Sequence, residues 1–167
     1  MMACGSFVVD FQAFKSVGND FILKELAIVG VDSNVVVHCL VRPDISFSEL
    51  SPSSQKSARF LTRNIHGIEW DDGYVSPVEA LVLLRDTLRR ASMIYCKGSE
   101  RVAWLKKRLG LYATDLDILE CPKKDDWPPD QLQLFLQCTY FSHYQNNRYR
   151  CALACALKYR DWLQRRL

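Results

Sequence analysis

Apolar residues fall in short alternating or continuous runs near the N-terminus and at helical spacing further on. Residues 6–14 form a mostly apolar run of strand length. Residues 21–31 (Phe-Ile-Leu-Lys-Glu-Leu-Ala-Ile-Val-Gly-Val) alternate well enough for a second strand, and the β-branched run from Val35 to Val41 predicts a third. Asp32-Ser33-Asn34 is a turn and Arg42-Pro43 a stop, so these three strands are expected to pair as an antiparallel meander. Ser51-Pro52 and Ser76-Pro77 each set a capping serine before a proline, which predicts helices over 53–63 and from Pro77 onward. The second of these carries Ala80, Leu81, Leu83, Leu84 and Leu88 on one apolar face. Ser92 to Lys97 has the character of a buried strand, and Gly98-Ser99-Glu100 opens a helix that Gly110 stops. A short strand over 116–120, a polar loop over 123–129, a short helix over 131–137 and a final helix over 150–167 complete the pattern. The expected fold is α/β: an antiparallel three-strand meander plus parallel strands in one mixed sheet, flanked by helices.

At 167 residues, the chain is expected to form a single domain over 1–167 with a substantial core. The net charge of +3 says little about partners, but its distribution says more. Lys97, Arg101, Lys106, Lys107 and Arg108 form one basic block; Arg148, Arg150, Lys158, Arg160, Arg165 and Arg166 form another. Between them lies an acidic stretch with Asp115, Asp117, Glu120, Asp125, Asp126 and Asp130, and solvated helix faces produce such blocks routinely. The N-terminus lacks the basic start and apolar run of a signal peptide, and no segment has the roughly 18 apolar residues of a membrane span. Seven cysteines without a secretory signal point to a reducing compartment, cytoplasmic or nuclear, where they serve as thiols or metal ligands.

Three soft donors lie close together near the C-terminus as Cys138-x4-His143-x7-Cys151. Thiolate and imidazole are the ligands zinc prefers, four to a tetrahedron when the site is structural. The aromatic and polar residues between them have weak secondary-structure preference, so a metal clip would have a segment to order. As the fourth ligand, Cys121 is the strongest remaining donor by its chemistry. The bland alternative is that the thiols are small core hydrophobes. Cys4, Cys39 and Cys96 are expected to be core filler and His66-Gly67 a turn. Glu69, Asp71 and Asp72 form an acidic loop around Trp70 that is solvated or holds a cation.

Val8-Val9-Asp10-Phe11-Gln12, the meander ending in Val41-Arg42-Pro43, His66-Gly67-Ile68, the strand-helix corner over 94–105 and the helix from Cys151 to Ala156 come in an order that resembles the ribonuclease-H-like fold of the DEDD exonucleases. In that family four acids hold two divalent cations that clamp a phosphodiester. Here Asp10 matches the first acid, Gln12 stands at the second, Arg101 falls near the third, and Arg150 and Cys155 take the places of the general-base histidine and the last aspartate. An amide and an arginine are no ligands for a hard cation, so Asp10 and Gln12 are vestigial and no catalytic residue is assigned.

A narrower resemblance is to the Maelstrom domain of the piRNA pathway, a ribonuclease-H-like fold that has lost those acids and carries a Glu-Cys-His-Cys zinc set. Glu100, Cys138, His143 and Cys151 follow that order. The resemblance implies a zinc-stabilised domain that binds single-stranded RNA and protein partners of a small-RNA silencing pathway, with acid-independent ribonuclease activity proposed in that family. Lys97, Arg101, Arg148 and Arg150 are the expected phosphate contacts, with Tyr144 and Tyr149 near them in sequence for stacking. The alternatives are a pure protein-interaction module anchored by Trp127, and a nuclease using an unusual residue set.

Overall fold

A computed structural model describes residues 5–15, 20–123 and 149–166. The three N-terminal runs are strands β1 (Ser6–Lys15), β2 (Phe21–Gly30) and β3 (Val36–Leu40), paired antiparallel as the meander. β4 (Met93–Cys96) and β5 (Thr114–Asp115) extend the sheet in parallel from the other edge of β1, giving the order β3-β2-β1-β4-β5. Helices α1 (Pro52–Leu61), α2 (Pro77–Leu88), α3 (Ser99–Leu109) and α4 (Ala152–Arg166) flank this five-stranded mixed sheet. The α/β class with an antiparallel meander and parallel strands is as expected.

The serine caps act as the sequence suggests. Ser51 Oγ accepts from the Ser54 amide and Ser76 Oγ from the Glu79 amide, each with proline in the first turn. α1 does not run to Arg63 as a regular helix; Thr62–His66 widen into a single π turn that Gly67 ends at φ 69°. Tyr149 lies against Gly67, and a Cβ there would come within 2.6 Å of the tyrosine ring.

The central strands are buried on both faces, which explains their long apolar runs. On one face Val9, Phe11, Leu26, Ile28 and Ile94 pack against α2 and α3 through Leu84, Leu88, Trp104 and Leu105. On the other, Val8, Ala27, Val29 and Tyr95 pack against α4 through Ala152, Cys155, Ala156 and Leu163. By alternation Asp10 and Gln12 share the α4 face with Val8.

One irregularity changes what β2 presents. Gln12 pairs with Glu25 but Ala13 pairs with Leu23, so Lys24 is an extra residue, a β-bulge. The bulge resets the alternation: Leu23 and Leu26 both face α2 and α3, and Glu25 joins Ala27 and Val29 on the α4 face. Lys24 itself is fully buried, and its ammonium donates to the carbonyls of Trp70 (2.8 Å) and Asp72. The acidic loop around Trp70 does hold a cation, through its backbone, and that cation is this lysine.

The strand expected over 116–120 is instead a series of turns, with β5 two residues earlier. Asp115 is the cause: its carboxylate accepts the amides of Gly98 (3.0 Å) and Asp117 (2.9 Å), tying the two connections together and bending the chain away from the sheet.

Candidate functional site

Among the described residues, the α4 face of β1 and β2 carries two neighbouring groups of buried polar and charged side chains, with Lys24 lying apart from both. The first is centred on Asp10, which is 3% exposed. The guanidinium of Arg101, from the first turn of α3, lies 3.7 Å from its Oδ1. Arg101 is anchored independently: Nε and Nη2 both donate to the Phe11 carbonyl (3.2 and 3.1 Å), and the guanidinium sits over the Phe11 ring. β4 ends at Cys96, so the Phe11 carbonyl has no strand beside it there, and the arginine fills the gap.

Burial pushes the Asp10 carboxyl up to about 7, against the opposing pull of Arg101 and with a further push from Glu25. Burial is the largest single influence on Arg101 and works against its charge, but Asp10, Cys96, Tyr159 and Cys155 together outweigh it and hold the guanidinium cationic. Asp10 Oδ2 has no hydrogen-bond partner among the described residues. Cys155 and Tyr159 of α4 lie close enough to act on Arg101, and Arg150 acts on Asp10. The structure therefore brings Asp10, Arg101, Arg150 and Cys155 together, with Gln12 buried on the same face. A cation already occupies the space beside the one acid, and it is a side chain.

The second group is centred on Glu25, fully buried one strand over. Its Oε1 accepts the Ala152 amide at 2.7 Å, so it caps the first turn of α4 from another element, where the helix dipole favours an anion. Its Oε2 accepts from His38 Nε2 of β3 at 2.8 Å and from the Cys151 thiol at 3.4 Å. Such a buried carboxylate is sustained only by a full set of donors.

Of the expected zinc ligands, Cys138 and His143 lie outside the described residues. Cys151 is buried at the start of α4. Glu100 is not beside it: its side chain is 68% exposed and pairs with Lys15 at 3.3 Å. The carboxylate against Cys151 is Glu25. Cys121 is not beside Cys151 either. Its neighbours include Arg166, at the far end of an α4 that is about 20 Å long. Burial pushes its thiol up to about 11.

Among the described residues no group of three or more His, Cys, Asp and Glu could hold a metal ion. The Cys151–Glu25 pair does fit half of one. Two corners of a zinc tetrahedron with a thiolate and a carboxylate are about 3.5 Å apart, and the observed Sγ–Oε2 separation is 3.4 Å. The Ala152 amide and His38 hold the carboxylate from its other sides, as outer-shell partners do for metal ligands.

The expected phosphate contacts separate into two kinds. Lys97 is spent inside the fold, donating to Asp117 Oδ1 and to the Cys121 carbonyl at 2.8 Å. Arg101 is turned inward to Asp10 and Phe11. Arg150 is exposed, within electrostatic reach of Asp10, with its backbone amide on the Ile65 carbonyl at 2.7 Å. Arg148 lies outside the described residues, as do Tyr144 and Trp127. His66 is structural as expected, its Nδ1 accepting the Ile68 amide at 3.0 Å.

Sequence reasoning missed Glu25 and His38. A signal was present in Lys24-Glu25, two charges interrupting an otherwise apolar strand. For His38 there was none, because a histidine in a half-buried strand is unremarkable until its cross-strand neighbours are known.

No protein-family model matches the chain, and no curated protein matches it significantly.

Proposed function

We propose that this protein is a ribonuclease-H-like domain that has lost two-metal catalysis, is stabilised by zinc and binds single-stranded RNA, in the manner the Maelstrom resemblance implies for a small-RNA silencing pathway. The observation that carries the reading is the half-buried Arg101 guanidinium beside Asp10. A fixed cation there competes with a divalent metal for the one remaining acid and leaves no anionic ligand set for it.

The zinc set in this proposal is Glu25, Cys138, His143 and Cys151, with Glu25 replacing Glu100. Zinc would supply the charge that lets Cys151 become a thiolate beside a buried carboxylate. With four protein ligands it leaves no open position for a reacting water, so its role is to pin the start of α4 to β2. RNA would run past the exposed Arg150, which draws its phosphates.

Metal analysis of purified variants tests the first part. One zinc per chain is expected in the wild type and in Glu100→Ala, and none in Cys138→Ala, Cys151→Ala or Glu25→Ala. Zinc retained in Glu25→Ala but lost from Glu100→Ala would restore the original assignment; no zinc in any form would end the metal proposal. For the second part, binding of a labelled 12-nucleotide single-stranded RNA should weaken with added salt and in Arg150→Ala. Magnesium-dependent cleavage abolished by Asp10→Ala would overturn the loss of catalysis.

A further inference from the structure

α1 packs through Ala58 and Leu61, which meet Phe14 and Trp70. By helical periodicity the opposite side carries Ser53, Lys56, Phe60 and Asn64, and all four are exposed. Phe60 is 58% exposed, an unusual place for an aromatic ring. No acidic residue occurs between Leu50 and Ile68, so no carboxylate of α1 or its π turn neutralises Lys56. Asn64 is tied back along the helix, its Nδ2 donating to the Phe60 carbonyl at 3.0 Å. Arg59 belongs to the flank: its guanidinium lies 4.9 Å over the Phe47 ring, at a cavity whose other wall holds Glu69 and Asp71.

This outer stripe leads to Arg150. The π turn Thr62–His66 continues α1, and its Ile65 carbonyl receives the Arg150 amide at 2.7 Å. From Lys56 to Ile65 the helix advances about 13 Å. That length leaves room for a phosphate at each end and a base between them.

We propose that single-stranded RNA lies along the outer side of α1, with one phosphate at Lys56, a base stacked on Phe60 and a further phosphate at Arg150. The inference rests on the RNA-binding reading and names the surface the strand follows. A protein partner wants an apolar centre around its anchor, but the positions one turn before and after Phe60 are Lys56 and Asn64. A lone ring between polar and cationic side chains suits a nucleobase, which offers a flat face beside its own charged backbone. Duplex RNA does not fit, because its bases are stacked on one another and cannot reach the ring.

Fluorescence anisotropy of the full chain with a labelled 12-nucleotide single-stranded RNA, at several salt concentrations, provides the test. Phe60→Leu should weaken binding about tenfold and leave the salt slope unchanged, since stacking releases no counterions. Phe60→Tyr keeps the ring and should retain the affinity. Lys56→Ala should weaken binding and lower the salt slope by about one phosphate's share. Lys107→Ala removes the same charge from the exposed side of α3 and should change neither. Phe60 is exposed, so its variants should unfold at the same urea concentration as the wild type. Wild-type affinity in Phe60→Leu, equal losses in Phe60→Leu and Phe60→Tyr, or a Lys107→Ala effect as large as that of Lys56→Ala would overturn the proposal. If Arg150→Ala still weakened binding in any of those cases, the RNA reading would stand without this path. A wild-type chain that binds no RNA would overturn both.

Discussion

At the scale of single residues, burial acts most directly on Asp10. A carboxyl held near 7 by burial binds its proton more tightly in the folded chain than in the unfolded one, where it titrates near 3.8. The folded state therefore keeps its full advantage only at pH below about 4 and loses part of it as pH rises through 7. Other carboxylates contribute their own slopes, so the test is a difference. Asp10→Asn should remove a fall of up to roughly 1.4 kcal/mol per pH unit over that window, read by urea unfolding at several pH values. Identical pH profiles for the two proteins would mean that Asp10 titrates normally. Glu25 shows the opposite arrangement. It is as deeply buried, but an amide, a histidine and a thiol meet its two oxygens, whereas Asp10 leaves one oxygen without a donor among the described residues.

At the scale of elements, the bulge in β2 does more than any cap or turn. It turns Lys24 toward the loop after Gly67 and Glu25 toward α4, so one inserted residue positions both a structural cation and a candidate metal ligand. Burial lowers the Lys24 ammonium to about 8, while Asp72 and Asp71 hold it up, so it stays largely charged at neutral pH. Lys24→Met keeps the volume and removes the donors. It should cost about 1–3 kcal/mol through the two orphaned carbonyls, measured by denaturant unfolding, and should speed hydrogen exchange at the Asp72 amide, which bonds the Glu69 carbonyl. A variant as stable as the wild type would show that the loop holds itself. The strand–helix corner shows the same principle at β4, where Gly98 sits at φ 106° to let its amide reach Asp115.

At the scale of the whole molecule, the described residues contain no helix long and apolar enough to cross a membrane. Their basic side chains are not equivalent: Lys97 and Arg101 are structural, and among the described residues Arg150 is the one of the expected contacts that is exposed. RNA binding should accordingly have a shallow salt dependence, with a slope of log affinity on log salt of only a few units, and Arg150→Ala should reduce it by about one phosphate's share. A slope unchanged by Arg150→Ala would move the RNA path elsewhere on the surface.

The element order, the meander and the two serine caps were legible because they are local: hydrophobic period, turn residues and proline positions act over a few residues. So were the amide at Gln12 and the guanidinium at Arg101, which are visible as residue types. The short strand over 116–120 was misplaced because its side chains suit a strand, while Asp115, bonded to a residue seventeen positions away, bends the chain. The pairing of Cys151 with Glu25 rather than Glu100 was not legible at all. Both carboxylates are glutamates at chemically reasonable positions, and they are separated by where the bulge and the β4–α3 corner point them. Sequence alone determined which residues could serve, because identity and local propensity are encoded in short stretches. Tertiary structure decided which of them meet, because the face a strand residue takes depends on register, and register is set by every element packed against the sheet.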